Sequence, residues 1–198
     1  MAERLGLFGG SFDPVHRAHL ALAQAALEVL ALDRVLWLPA GRPWQKARAL
    51  APAADRLEML RLALQHEPRF VLDARETRRP GPSYTRDSVR ELRAEHPAAR
   101  LFLLIGQDQY AGFHTWQGWA EILQQAELAV AARPGVAARA ADAVQRHPHH
   151  EVPLPPLDIS ATAIRARVAA GVPIDDLVPP EVARYIDRQG LYRAASGS

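Results

Sequence analysis

Short apolar runs alternate with longer amphipathic stretches along nearly the whole chain, and few architectures accommodate that alternation. Strands are expected over residues 5–8, 34–38, 70–72, 100–105, 127–131 and 151–153, with helices over 16–30, 53–64, 84–95, 119–125 and 136–146 between them. Strands separated by helices form parallel sheets, because a parallel neighbour is reached only by a crossover, and the crossover helices cover both faces. Two further helices are expected after the last strand. One spans 161–170 behind Ser160, a good N-cap, and the other spans 180–188 behind Pro179-Pro180-Glu181. The fold class is therefore α/β: a Rossmann-like doubly wound parallel sheet with helices on both faces and a C-terminal helical segment.

The 198 residues, 48% hydrophobic, suffice for one domain with a real core, and no linker-rich stretch marks a boundary, so residues 1–198 are expected to form a single domain. Without cysteine there is no disulfide framework, thiolate metal site or sulfur nucleophile. No run approaches the ~20 apolar residues of a membrane span, and no signal-peptide profile is seen, so a cytoplasmic protein with no membrane partner is expected. A net charge of +2, with arginines scattered among acids, gives little field for a nucleic-acid partner. Lys46 stands out as the single lysine. The 41–52 and 75–83 loops are expected to be mobile, Arg75, Arg78 and Arg79 to be loop charge, the histidines of His147-Pro148-His149-His150 to be solvated, and Trp37 to be core.

The most informative segment joins the first strand to the first helix: Gly9-Gly10-Ser11-Phe12-Asp13-Pro14-Val15-His16-Arg17-Ala18-His19. Adjacent glycines let a ligand approach the backbone, and the unpaired N–H groups at a helix start bind anions. His16 and His19, three residues apart, share a helix face and can both address that anion. The same residues also fit a tight turn with a capping histidine. A metal site with Asp13 is a further alternative, although no third well-spaced ligand follows. Signatures of P-loop ATPases, dinucleotide dehydrogenases and α/β hydrolases are absent.

A second anion site is suggested by Asp158-Ile159-Ser160-Ala161-Thr162-Ala163-Ile164-Arg165. This helix start carries hydroxyls and a cation where an acid is usual. Taken alone, the segment also reads as a plain Ser-capped helix.

These two segments resemble the paired signatures of nucleotidyltransferases with a His-x-x-His motif, with Ser11 where threonine is common and Ala18 where glycine is usual. Three further segments resemble the bacterial nicotinate-mononucleotide adenylyltransferases in particular. They are Gly81-Pro82-Ser83-Tyr84-Thr85 with Asp87, then Ile105-Gly106-Gln107-Asp108 with Phe113-His114-Thr115-Trp116, and Ala132-Arg133-Pro134-Gly135. The loop from Pro39 to Lys46 matches only partly, with Trp44 and Gln45 where Pro and His are frequent.

The resemblance implies adenylyl transfer from ATP to nicotinate mononucleotide, giving nicotinate adenine dinucleotide and pyrophosphate in NAD biosynthesis. It implies that His16 and His19 meet the ATP phosphates, His19 at the α-phosphate, and that Thr162 and Arg165 hold the departing phosphates. Gly9, Gly10, Ser11, Phe12, Gly106, Asp108, Arg133, Ile159 and Ser160 complete the implied ATP site. Lys46, Tyr84, Thr85 and Trp116 form the implied mononucleotide site, with Lys46 otherwise read as a solubilising charge and Trp119 as packing. Mg²⁺ is expected to arrive with ATP, held by phosphates and water. A strand order 3-2-1-4-5 would set the Gly9-Gly10 loop opposite Gly106 and Asp108 at the topological switch point. Two other readings are a different transferase of the same type, such as one acting on phosphopantetheine or using CTP and glycerol phosphate, and an ATP-binding module without catalysis.

Overall fold

The computed structural model describes residues 2–43, 49–132 and 139–194. In chain order these form β1 (Arg4–Gly10), α1 (Arg17–Val29), β2 (Arg34–Pro39), α2 (Ala53–Leu64), β3 (Phe70–Leu72), α3 (Arg75–Arg78), α4 (Thr85–Glu95), β4 (Arg100–Ile105) and α5 (Gln107–Ala111). A 3₁₀ turn (Phe113–Thr115) follows, then α6 (Trp119–Gln125), β5 (Glu127–Ala132), α7 (Asp142–Gln145), β6 (His149–Pro153), α8 (Ala161–Ala169) and α9 (Pro180–Gln189). The strands build one sheet in the order β3-β2-β1-β4-β5-β6, every neighbouring pair parallel.

The side-chain period of two divides the core between the faces. Leu5, Leu7, Leu36, Leu38, Leu101, Leu103, Ile105, Leu128 and Val130 pack under α4 and α6. Phe8, Val35, Trp37, Phe102, Leu104 and Ala129 pack with residues of α1, α2, α8 and α9. With both faces covered, the central strands read as near-continuous apolar runs. Gly6 has a steric reason, since a Cβ there would lie 2.8 Å from Leu32 Cδ1. Trp37 is fully buried, as expected.

The C-terminal helices close the α1 and α2 side of the sheet. The amphipathic α9 buries Val182, Ala183, Tyr185 and Ile186, and the Tyr185 hydroxyl donates to Asp55 on α2 at 2.7 Å.

Several expectations are corrected. The final strand begins at His149 rather than 151. His150 Nε2 lies 2.8 Å from a Glu127 carboxylate oxygen and His149 Nδ1 lies 3.2 Å from the Tyr110 hydroxyl, so these two, still partly exposed, are engaged at the sheet edge, while His147 is exposed as expected. The expected 136–146 helix is helical only over Asp142–Gln145 among the described residues.

The segment expected to be a mobile loop at 75–83 opens with α3. There Arg75 pairs with Asp73 and Glu95, and Arg79 with Glu91, so these arginines clamp α3 to α4. α3 and α5 are too short to show a helical period in sequence.

Candidate active site

A cleft of about 750 Å³ opens beyond the carboxyl ends of β1 and β4, the topological switch point of this strand order. It is lined by Gly9, Gly10, Ser11, Phe12, His16, His19, Tyr84, Thr85, Gly106, Asp108, Trp116, Ile159, Ser160, Thr162 and Arg165. Every candidate residue that is described thus reaches one cavity. Lys46 and Arg133 lie outside the described residues.

The floor comes from the first loop. A Cβ on Gly9 would meet nothing within 4 Å, so the backbone there faces open cleft and a ligand can approach it closely. Phe12 adopts a left-handed backbone (φ 46°), and its ring is buried edge-on to Phe8 and His19, at 5.5 and 5.1 Å between centroids. It shapes the cleft from beneath, with 1% of its surface exposed.

His16 is the N-cap of α1, and its ring stacks on His19 with 3.6 Å between centroids. The His16 backbone N–H donates to His19 Nδ1 at 3.2 Å. In neutral His19 the proton therefore sits on Nε2, which makes that nitrogen a donor.

His16 is buried, and desolvation pushes its pKa down to about 4, against 6.5 when free. Between those values the unfolded chain binds a proton that the folded chain does not, so this group contributes a loss of stability as pH falls from about 6.5 to about 4, with no further loss below. Wild-type protein is expected to lose about 3 kcal/mol more than His16→Asn across this window. Urea unfolding at a series of pH values measures the difference, and parallel curves would show that His16 is not desolvated.

Opposite the first loop, α8 begins at Ser160, whose Oγ accepts from the Ala163 N–H at 3.1 Å. Neither α1 nor α8 carries an acid in its first turn, so no carboxylate within either helix offsets the positive end of its dipole at the cleft. Arg165 joins them: Nη1 donates to the Asp13 carbonyl at 2.7 Å and Nη2 to Thr162 Oγ1 at 3.1 Å. Two helix starts, hydroxyls and a guanidinium around one cavity suit a polyphosphate.

At the far end, Ser83 Oγ accepts from the N–H groups of Gly41 and Arg42 at 2.9 and 3.3 Å, pinning the loop after β2 beside Tyr84 and Thr85. Trp116 is half-buried against Phe113, with 5.1 Å between ring centroids, and part of its surface faces the cleft. This end suits a planar ring. The exposed Asp108 stands at the start of α5, where a carboxylate can accept from sugar hydroxyls.

Sequence reasoning missed the supports. Arg56, 2% exposed on α2, donates to three carbonyls, those of Ser11, Ala40 and Ala51, and so fixes the first loop to the chain after β2. Its signal was an arginine on the same helix face as Met59 and Leu60. Glu76 lines the cleft from α3. Burial pushes its carboxyl above the usual range although Ser88 Oγ donates to it at 2.6 Å. Nothing in the local sequence distinguished it from a surface glutamate.

A parallel doubly wound sheet whose switch-point cleft is rimmed by two acid-free helix starts defines a nucleotide-binding α/β protein. The chain belongs to the cytidylyltransferase-like family, whose model it matches over residues 7–167. A protein of Methylibium petroleiphilum named "Probable nicotinate-nucleotide adenylyltransferase" is 46% identical over 201 residues, covering 98% of this chain and 95% of the relative. One of the same name from Bordetella petrii is 48% identical over 197 residues, covering 96% and 100%. Among solved structures, the Plasmodium falciparum nicotinic acid mononucleotide adenylyltransferase complexed with NaAD superposes with a TM-score of 0.81 at 17% identity, covering 96% of this chain and 97% of the other. That likeness is one of fold.

Proposed function

We infer that the protein is a nicotinate-nucleotide adenylyltransferase: it transfers the adenylyl group of ATP to nicotinate mononucleotide, forming nicotinate adenine dinucleotide and pyrophosphate in NAD biosynthesis. The observation that carries this reading is the meeting of the α1 and α8 N-termini across one cleft, bridged by Arg165. The same proposal takes residues 1–198 as one domain and places its work in the cytoplasm. No helix among the described residues is long and apolar enough to cross a membrane.

A phosphate oxygen of the mononucleotide attacks the α-phosphorus of ATP, and the bond from that phosphorus to the bridging oxygen breaks. Pyrophosphate leaves with the electron pair. A phosphate monoester with a second pKa near ~6 is mostly dianionic at neutral pH, so no general base is needed. The protein's tasks are alignment and neutralisation of charge.

We assign Gly9, Gly10, Ser11 and the α1 start to the backbone cradle of the phosphates, with Phe12 shaping it from below. His19 Nε2–H serves the α-phosphate, where charge develops, and His16, assigned with it to the ATP phosphates, also orients His19 by stacking and through its backbone N–H. Ser160, Thr162 and Arg165 receive the departing pyrophosphate. Gly106, Asp108, Ile159 and Arg133 are assigned to the nucleoside and phosphates of ATP, and Lys46, Tyr84, Thr85 and Trp116 to the mononucleotide. Mg²⁺ enters as part of the substrate MgATP. Its charge is expected to be held chiefly by phosphates and water.

Pyrophosphate release from MgATP, with each acceptor in turn, tests the reading. Turnover is expected with nicotinate mononucleotide, at a kcat/KM about tenfold or more above that with the nicotinamide analogue. Stacking on Trp116 serves both rings, whereas only the carboxylate accepts charge-assisted hydrogen bonds at both oxygens. Preference for phosphopantetheine, or for CTP with glycerol phosphate, would replace this reading with another transferase. ATP binding without turnover on any acceptor would reduce it to a binding module.

A further inference from the structure

We propose that Tyr192, near the end of the described chain, is a positioning residue for the phosphate end of the cleft, acting through Asp13 on Arg165. This inference rests on the function proposed above. Asp13 lies in the first loop between Phe12 and the start of α1, and no part of it is exposed. A carboxylate removed from water must be paired with donors, and the placement of those donors then dictates where it sits. A short hydrogen bond comes from 179 residues away: the Tyr192 hydroxyl donates to Asp13 Oδ1 at 2.6 Å, the range of a charge-assisted O–H···O bond. The Ala51 N–H donates to the same oxygen at 3.3 Å.

The backbone on both sides of this bond is held in an unusual conformation. α9 ends at Gly190 in the left-handed region (φ 63°), and the Leu191 N–H returns to the Ile186 carbonyl, which reverses the chain under the first loop. Tyr192 is itself left-handed at φ 63°, and Phe12, next to Asp13, is left-handed at φ 46°. Neither is glycine. Side chains adopt this region at a cost, and such residues persist where the surrounding contacts over-determine them.

What the bond positions follows from the rest of Asp13. Its carbonyl accepts from Arg165 Nη1 at 2.7 Å, so the residue that receives Tyr192 on its side chain holds the guanidinium on its backbone. One residue before Phe12, the Ser11 carbonyl is held by Arg56. The first loop is thus fastened from below at Ser11 and Asp13, and the Asp13 fastening continues to the cation at the cleft. Losing the phenol O–H lets the carboxylate seek another donor, and the carbonyl under Arg165 moves with it.

Tyr192→Phe deletes one oxygen from a half-buried ring and leaves its packing in place. With MgATP and nicotinate mononucleotide, kcat/KM for ATP is expected to fall about tenfold or more, because small misplacements of aligned groups are costly. The KM for the mononucleotide stays near wild type, and the unfolding temperature falls by about 3 to 10 °C, the scale for one lost bond to a buried charge in a domain of this size. In the Arg165→Ala background the same change adds no further loss, since the tyrosine acts through that arginine. Wild-type kinetics for Tyr192→Phe, equal losses for both substrates, or losses that add to those of Arg165→Ala would overturn the proposal.

Should the phenylalanine variant not fold, Asp13→Asn, which removes the charge that strengthens the bond, is read against the same outcomes. Protection by ATP against thermal unfolding, measured without acceptor, separates this proposal from the choice of acceptor. It is expected to be weaker in Tyr192→Phe even if nicotinate mononucleotide proves to be the wrong partner, and equal protection would overturn the positioning role.

Discussion

His19→Ala is expected to lower kcat about a hundredfold or more, the scale for losing one donor aimed at developing charge. The geometry narrows the reason to one atom. His19 Nδ1 is already the acceptor of the His16 N–H, so the proton that can meet the α-phosphate is the one on Nε2. The substitution also removes a ring stacked on His16 and edge-on to Phe12, so some loss of stability accompanies it. Thermal unfolding of the variant, measured beside its steady-state rate, separates the two effects. A folded variant with near-normal kcat would remove His19 from the chemistry and leave it a packing residue.

Arg165→Ala is expected to lower kcat/KM for ATP by a similar factor, about a hundredfold, with the mononucleotide KM changed by less than about threefold. Pyrophosphate accumulates negative charge as it leaves, and Arg165 is the guanidinium at the α8 start, within reach of Thr162 Oγ1 and the first loop. Arg165→Lys is expected to recover little. A single ammonium does not reproduce a planar fork that holds the Asp13 carbonyl with one nitrogen and the threonine hydroxyl with the other. Both variants are assayed with ATP and acceptor varied independently. Equal losses for both substrates would make Arg165 a structural tie between α8 and the first loop.

The parts of the site legible in sequence are those whose chemistry is contiguous. His16 and His19 share a helix face because they lie three residues apart, and Ser160, Thr162 and Arg165 occupy one helix start. In both cases local geometry brings the groups together before any packing is known. The sheet was legible for a similar reason. Buried parallel strands are continuous apolar runs, so β4 (Arg100–Ile105) was readable to the residue; the short apolar edge strand β3 (Phe70–Leu72) was too, as were α2 (Ala53–Leu64) and α6 (Trp119–Gln125). The β6 boundary was missed because edge pairing is indifferent to polarity. His149 and His150 look like loop residues until Tyr110 and Glu127 are set beside them. The short helices α3 and α5 leave no periodic trace over four or five residues.

The sequence by itself determined the alternation that gives the α/β class, the two helix starts proposed to bind phosphate and the side chains they present, because each depends on interactions spanning no more than a few residues. Tertiary structure alone decided what holds those parts in register: the buried Arg56 gathering three carbonyls, the Glu76 carboxyl set against Ser88, the neutral state of His16, and the bond from Tyr192 to Asp13. The physical reason is desolvation. A polar group reads as an ordinary surface residue in sequence, and only the chain packed over it removes water and dictates which distant donor or acceptor takes water's place.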